Sequence, residues 1–117
     1  MTDTSASSET PVPPSVTSKD RAHLKSLAHD LEPLVKIGKE GVSEGVEGAV
    51  DEVLTEHELI KVRYGQNFEG DRKEASVALA RAVGADLTQV IGRVAVLYRP
   101  RGKDLPNRPR IKLPSQK

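Results

Sequence analysis

Apolar residues recur along this chain with two different periods, and the switches between them outline its elements. Leu24, Leu27, Ala28 and Leu31 stand three and four positions apart, on one face of a helix. Ser18 is a good cap for that helix, Asp20 suits its first turn, and Pro33 stops it. Residues 34–37 (LVKI) form a short apolar run, a predicted strand. Ser43 caps a second helix with Val46, Ala49, Val50, Val53 and Leu54 along one face. Gly45 and Gly48 weaken it by about 1 kcal/mol each relative to Ala. Over residues 59–64 the period becomes two, with Ile60, Val62 and Tyr64 alternating against Lys61 and Arg63, so this is a strand. Asp71 and Glu74 have capping-box spacing and open a third helix with the face Ala75, Ala78, Leu79, Ala82 and Val83. Gly84 is its natural stop. Residues 88–91 and 94–98 are predicted strands joined at Gly92-Arg93, a glycine-containing hairpin signal, and Pro100 closes the last one. A further short strand is placed at 111–113.

The order helix, strand, helix, strand, helix, strand, strand predicts an α/β two-layer fold. Strand-helix-strand units imply parallel pairing, and the closing hairpin adds an antiparallel strand. Right-handed crossovers put the second and third helices on one face of the sheet. The chain of 117 residues suits a single domain. Residues 1–16 are rich in Ser, Thr and Pro, bury almost nothing, and are expected to be disordered. Residues 17–100 form the expected domain, and 101–117 a basic, Pro-rich tail.

Composition narrows the chemistry. Cysteine is absent, which removes disulfides, thiolate metal sites and thiol nucleophiles, and fits a reducing cytoplasm. His23, His29 and His57 lack metal-ligand spacing on a common face. No GxSxG, phosphate-loop or HExxH pattern occurs, so no enzyme, metal or cofactor is expected. No apolar run approaches the length of a membrane span, and a cytoplasmic location is expected. The net charge of +1 hides an uneven distribution. Residues 1–17 hold no Lys or Arg. The stretch 99–117 holds Arg99, Arg101, Lys103, Arg108, Arg110, Lys112 and Lys117 against Asp104. Local charge decides whether a polyanion docks, although such a tail also serves as a solvated solubility segment.

The segment 34–46, LVKIGKEGVSEGV, carries the most information. A strand runs into Gly38-Lys39-Glu40-Gly41, and a capped helix follows. Glycines let a polymer backbone approach without Cβ collisions, and the helix start offers unpaired N–H groups to a phosphate. Lys36 and Lys39 add positive charge. The Gly-x-x-Gly loop of KH domains clamps a nucleic-acid backbone by the same logic. The four residues also fit an ordinary strand-to-helix turn, and acidic Glu40 repels phosphate. Arg21, Lys25 and His29 form a stripe at fourfold spacing beside the first helix's apolar face, able to meet successive phosphates or simply to face solvent. The second helix gathers Glu44, Glu47, Asp51 and Glu58, a surface expected to turn away from a polyanion.

Residues 24–29 (LKSLAH), 34–46 (LVKIGKEGVSEGV), 57–62 (HELIKV), 89–92 (QVIG) and 97–100 (LYRP), in this order over 17–100, resemble the YhbY family, the bacterial single-domain form of the CRM (chloroplast RNA splicing and ribosome maturation) domain. The resemblance implies a four-stranded mixed sheet similar to the C-terminal domain of translation initiation factor three. It implies association with ribosomal RNA in precursors of the large ribosomal subunit, as an aid to assembly. The family's Gly-x-x-Gly loop falls on Gly38, Lys39, Glu40 and Gly41, and its basic first helix on Arg21, Lys25 and His29. The expected role is contact with the RNA backbone, with Lys36, Arg99 and Arg101 adding attraction. A monomer with no small-molecule substrate is expected. The alternative is a protein-interaction module that docks on a ribosomal protein through the acidic second helix or the open sheet face.

Overall fold

The computed structural model describes residues 16–100, 111, 113 and 114. Three helices, α1 (Ser18–Ala28), α2 (Glu44–His57) and α3 (Arg72–Val83), alternate with strands β1 (Pro33–Ile37), β2 (Leu59–Tyr64), β3 (Asp86–Ile91) and β4 (Val94–Tyr98). The strands form one mixed sheet in the order β1-β2-β4-β3. β1 and β2 are parallel, joined through α2, while β4 runs antiparallel to both β2 and β3. The α/β class and the parallel unit are those the sequence predicts.

The main core lies between the sheet and α2 plus α3. Val50 and Leu54 of α2 and Leu79, Ala80 and Val83 of α3 meet Val35, Ile37, Ile60, Val62, Tyr64, Ala95 and Leu97. Burying each large aliphatic side chain there contributes about 1.5–3 kcal/mol. The buried face of α3 is 76/79/80/83 and not the predicted 75/78/79/82/83, since Ala78 and Ala82 are exposed. Ser76 tolerates full burial because its hydroxyl shares a 2.6 Å hydrogen bond with that of Tyr64.

α1 sits on the opposite face, so part of the sheet carries a third layer beyond the two predicted. Leu24 and Ala28 pack on Leu59, Val96 and Tyr98. Leu113 is buried in the same cluster, with Val16 and Ile111 at its margin, so this core extends beyond Pro100. Neither Ile111 nor Leu113 lies in a strand, contrary to expectation. The rest of the N-terminal segment expected to be disordered, and most of the basic tail, lie outside the described residues.

Two boundaries of α1 differ from the prediction. Its cap is Thr17, whose hydroxyl accepts from Asp20 N while the Asp20 carboxylate accepts from Thr17 N, a reciprocal capping box. The helix ends at Ala28, short of Pro33, because β1 starts at Pro33 and the intervening residues must turn the chain. Leu31 therefore leaves the apolar face and is exposed, as is Leu27. β3 begins at Asp86, two positions before the predicted 88, with an irregularity between Leu87 and Gln89.

Candidate nucleic-acid interface

The glycine loop stands at the carboxyl ends of the parallel strands, where α/β sheets commonly bind ligands. It is a tight turn, closed by Gly41 N donating to Gly38 O at 3.0 Å, and Ser43 then caps α2 by accepting from Val46 N. The two glycines have different reasons to be there. Gly41 has φ +75°, a left-handed conformation that L side chains resist, so the backbone itself requires it. Gly38 has no such conformation, and a Cβ there would meet nothing within 4 Å. The fold does not need glycine at 38. Lys39 and Glu40 are both exposed at the turn.

The loop is braced from the β2–α3 connection. Gly65 N donates to Ile37 O at 2.8 Å, tying the ends of β1 and β2. Phe68 places Cε1 3.5 Å from where a Gly41 Cβ would stand, and its ring contacts Tyr64 at a centroid distance of 4.7 Å. The aromatic side chains of this end are thus spent on packing.

The predicted cations do not all remain free. Arg21 Nη2 donates to Asp86 Oδ1 at 2.6 Å and its Nε to Asp86 Oδ2 at 3.2 Å, a bidentate pair. Asp86 is buried and raises the Arg21 pKa through that hydrogen bond. Arg99 is likewise engaged: its Nη1 donates to Asp51 Oδ1 (2.6 Å) and Val83 O (2.8 Å), and its Nη2 to Asp51 O and Thr55 Oγ1. It clamps α2 to the end of α3. Lys25, His29, Lys36 and Lys39 stay exposed. Arg101 lies outside the described residues.

The acidic side of α2 is also smaller than the sequence suggests. Asp51 is held by Arg99. Glu58 is buried at the end of α2 with φ +63°, and its Oε1 accepts from Ile111 N at 2.6 Å. Glu44 is exposed and Glu47 half-buried.

Tertiary structure adds residues that local reasoning did not select. Val35 and Ile37 enter the main core, so strand alternation sends Lys36 to the opposite face. Ile60, Val62 and Tyr64 do the same for Lys61 and Arg63. Lys36 is paired with Arg63 in the β1–β2 register. Lys61 Nζ donates to His29 O at 3.3 Å, joining the end of α1 to the sheet. Lys25 and Lys61 line a common cleft beside α1. Lys25, His29, Lys61, Arg63, Lys36 and Lys39 therefore follow one another from the end of α1 across the uncovered sheet to the glycine loop. The alternation of Lys61 and Arg63 was visible in the sequence. That their face would be left open was not.

The profile of the family described as CRS1 / YhbY (CRM) domain matches residues 16–99. The chain belongs to the CRS1/YhbY (CRM) domain family. Relatives of this CRM chain include a Bacillus subtilis protein named a probable RNA-binding protein, 38% identical over 84 residues, which span 72% of this chain and 88% of the relative. A Haemophilus influenzae protein named an RNA-binding protein is 38% identical over 85 residues, 73% of this chain and 86% of that one. The solution structure of a Staphylococcus aureus protein, 39% identical, superposes with a TM-score of 0.71 over 86% of this chain and all of its own. Among the described residues of the CRM chain there is no group of three or more His, Asp or Glu that could hold a metal. No described helix is long and apolar enough to cross a membrane.

Proposed function

We propose that this CRM protein binds ribosomal RNA in precursors of the large ribosomal subunit and assists their assembly in the cytoplasm, as a monomer that binds and does not catalyse. The observation that carries the RNA reading is the run of basic residues from Lys25 to Lys39, linked by the bond from Lys61 Nζ to the His29 carbonyl and by the Lys36–Arg63 register. Gly38 stands at its end as a glycine the fold does not require. The relatives named as RNA-binding proteins support the same class of partner. The ribosomal precursor follows from the family resemblance. RNA backbone lies over residues 38–41 and the start of α2, flanked by Lys25 and His29, while Arg21 and Arg99 act within the fold. Arg101 adds attraction from the tail.

Few aromatic side chains are free to stack on bases, so structured RNA met through phosphate and shape suits the surface better than a single strand. The test is sedimentation of ribosomal particles from cells at low and high salt, probing each fraction for the protein. Co-migration with immature large subunits, lost at high salt and in a Lys25→Glu/Lys39→Glu variant, is expected. Residence in the free fraction throughout would overturn the ribosomal reading.

A further inference from the structure

α1 covers only part of its sheet face, and the uncovered part forms a cleft of about 720 Å3. That volume lies within the roughly 300–1,000 Å3 of sites that hold small molecules. One wall is α1, with Lys25, Ser26 and His29. The other is the sheet, with Lys61, Gln89, Ile91 and Val94. Ile91 is 61% exposed, an uncovered branched side chain on the cleft. Gln89 is half-buried, and among the described residues its side-chain amide has no hydrogen-bond partner. Asp30 is the one carboxylate on the described lining.

We propose that this cleft receives a single unpaired purine nucleotide of the bound RNA, adenine in particular, with Gln89 reading the base edge. This rests on the RNA-binding reading and deepens it from backbone contact to recognition of one base. A flat base has an apolar face to set against Ile91 and Val94. Its edge offers a donor beside an acceptor, the pattern that a glutamine amide matches with two hydrogen bonds. Lys25 and Lys61 stand on opposite walls to take the flanking phosphates. An acidic peptide would also be drawn by the two lysines, but its carboxylates present no ring to lay against Ile91 and Val94. An unpaired base enters more readily than a paired one because it leaves no partner and little stacking behind.

The experiment compares three short RNA stems by fluorescence anisotropy at fixed salt: fully paired, with one bulged adenosine, and with one bulged abasic nucleotide. The full-length protein is expected to prefer the adenosine bulge by about tenfold over both others. Gln89→Leu, which keeps the side chain's size, is expected to bind all three as the wild type binds the paired stem, with an unchanged salt slope. Equal binding of the adenosine and abasic bulges by the wild-type protein overturns the proposal without depending on any variant. Retention of the preference in Gln89→Leu overturns the role of Gln89. Failure to bind any stem, paired or bulged, would instead sink the RNA-binding reading, and this proposal with it.

Discussion

The two faces of the sheet are built from the same strands and put to different ends. Toward α2 and α3, alternate residues are aliphatic and closely covered, and Leu54, Val62, Leu79 and Leu97 are fully buried. Toward α1, the alternate residues include Lys36, Lys61, Arg63 and Gln89, and the helix covers Leu59, Val96 and Tyr98 while leaving Ile91 and Leu34 exposed. A strand with period two writes two independent messages. Here one reads as core and the other as a charged surface with a small core at one end. Stability is concentrated on the first face, and freedom to meet a partner on the second.

The largest break in this comparison comes from the closed face. Leu97→Ala should cost about 2–5 kcal/mol in urea denaturation, as the surroundings collapse only partly into the space left. RNA affinity of the molecules that remain folded should be unchanged. A loss of affinity without loss of stability would mean that the faces are not separate.

Arg99→Ala and Lys25→Glu sharpen the contrast because both remove a cation. The first frees Val83 O and Asp51 from their donor and should lower stability by about 1–3 kcal/mol with little effect on RNA. The second should leave the melting temperature nearly unchanged and weaken RNA binding about tenfold, with a shallower salt dependence. Measuring both quantities on both variants shows whether the charges divide as the contacts do.

The glycine loop repeats the contrast on a smaller scale. Gly41→Ala should cost about 1–2 kcal/mol, since alanine resists φ +75°. Gly38→Ala should change stability by less than about 0.5 kcal/mol and still weaken RNA binding, because its methyl group points into the space a phosphate backbone would fill. A Gly38→Ala protein that binds RNA normally would remove the loop from the interface.

The smallest effect at neutral pH concerns Tyr98, under α1. Burial, with Glu58 and then Asp20 nearby, pushes its pKa up to about 12. An unfolded tyrosine ionises near about 10. The folded state thus holds the phenol's proton longer than the unfolded chain does. Its contribution is complete below pH about 10 and is lost as pH rises toward about 12. Tyr98→Phe should leave the midpoint at pH 7 almost unmoved and flatten the decline of the melting temperature across that alkaline window. An unchanged alkaline decline would assign it to other groups.

The contrast between the faces also marks where sequence reasoning reached and where it stopped. The Ser43 and Asp71 caps, the Gly84 stop and the Gly92-Arg93 hairpin lie where expected, because each depends on neighbours a few positions away. The end of α1 was misplaced because Leu31 continues the helical period while the chain has already turned toward β1. Ser76 was passed over because its partner, Tyr64, belongs to another element. Arg21 looked like a member of a phosphate stripe because the spacing to Lys25 and His29 is local, whereas Asp86 is 65 positions away.

The alternation of elements, the parallel unit around α2, the glycine loop and the family to which the chain belongs are all legible in the order of residues. These rest on periodicity, capping and turn chemistry that act over a few residues. The partial third layer of α1, the capture of Arg21 and Arg99 within the fold, and the open cleft that Lys61 and Gln89 face arise from tertiary contacts. A charge is free or paired, and a face open or covered, according to which distant residues arrive beside it, and no short-range pattern encodes that meeting.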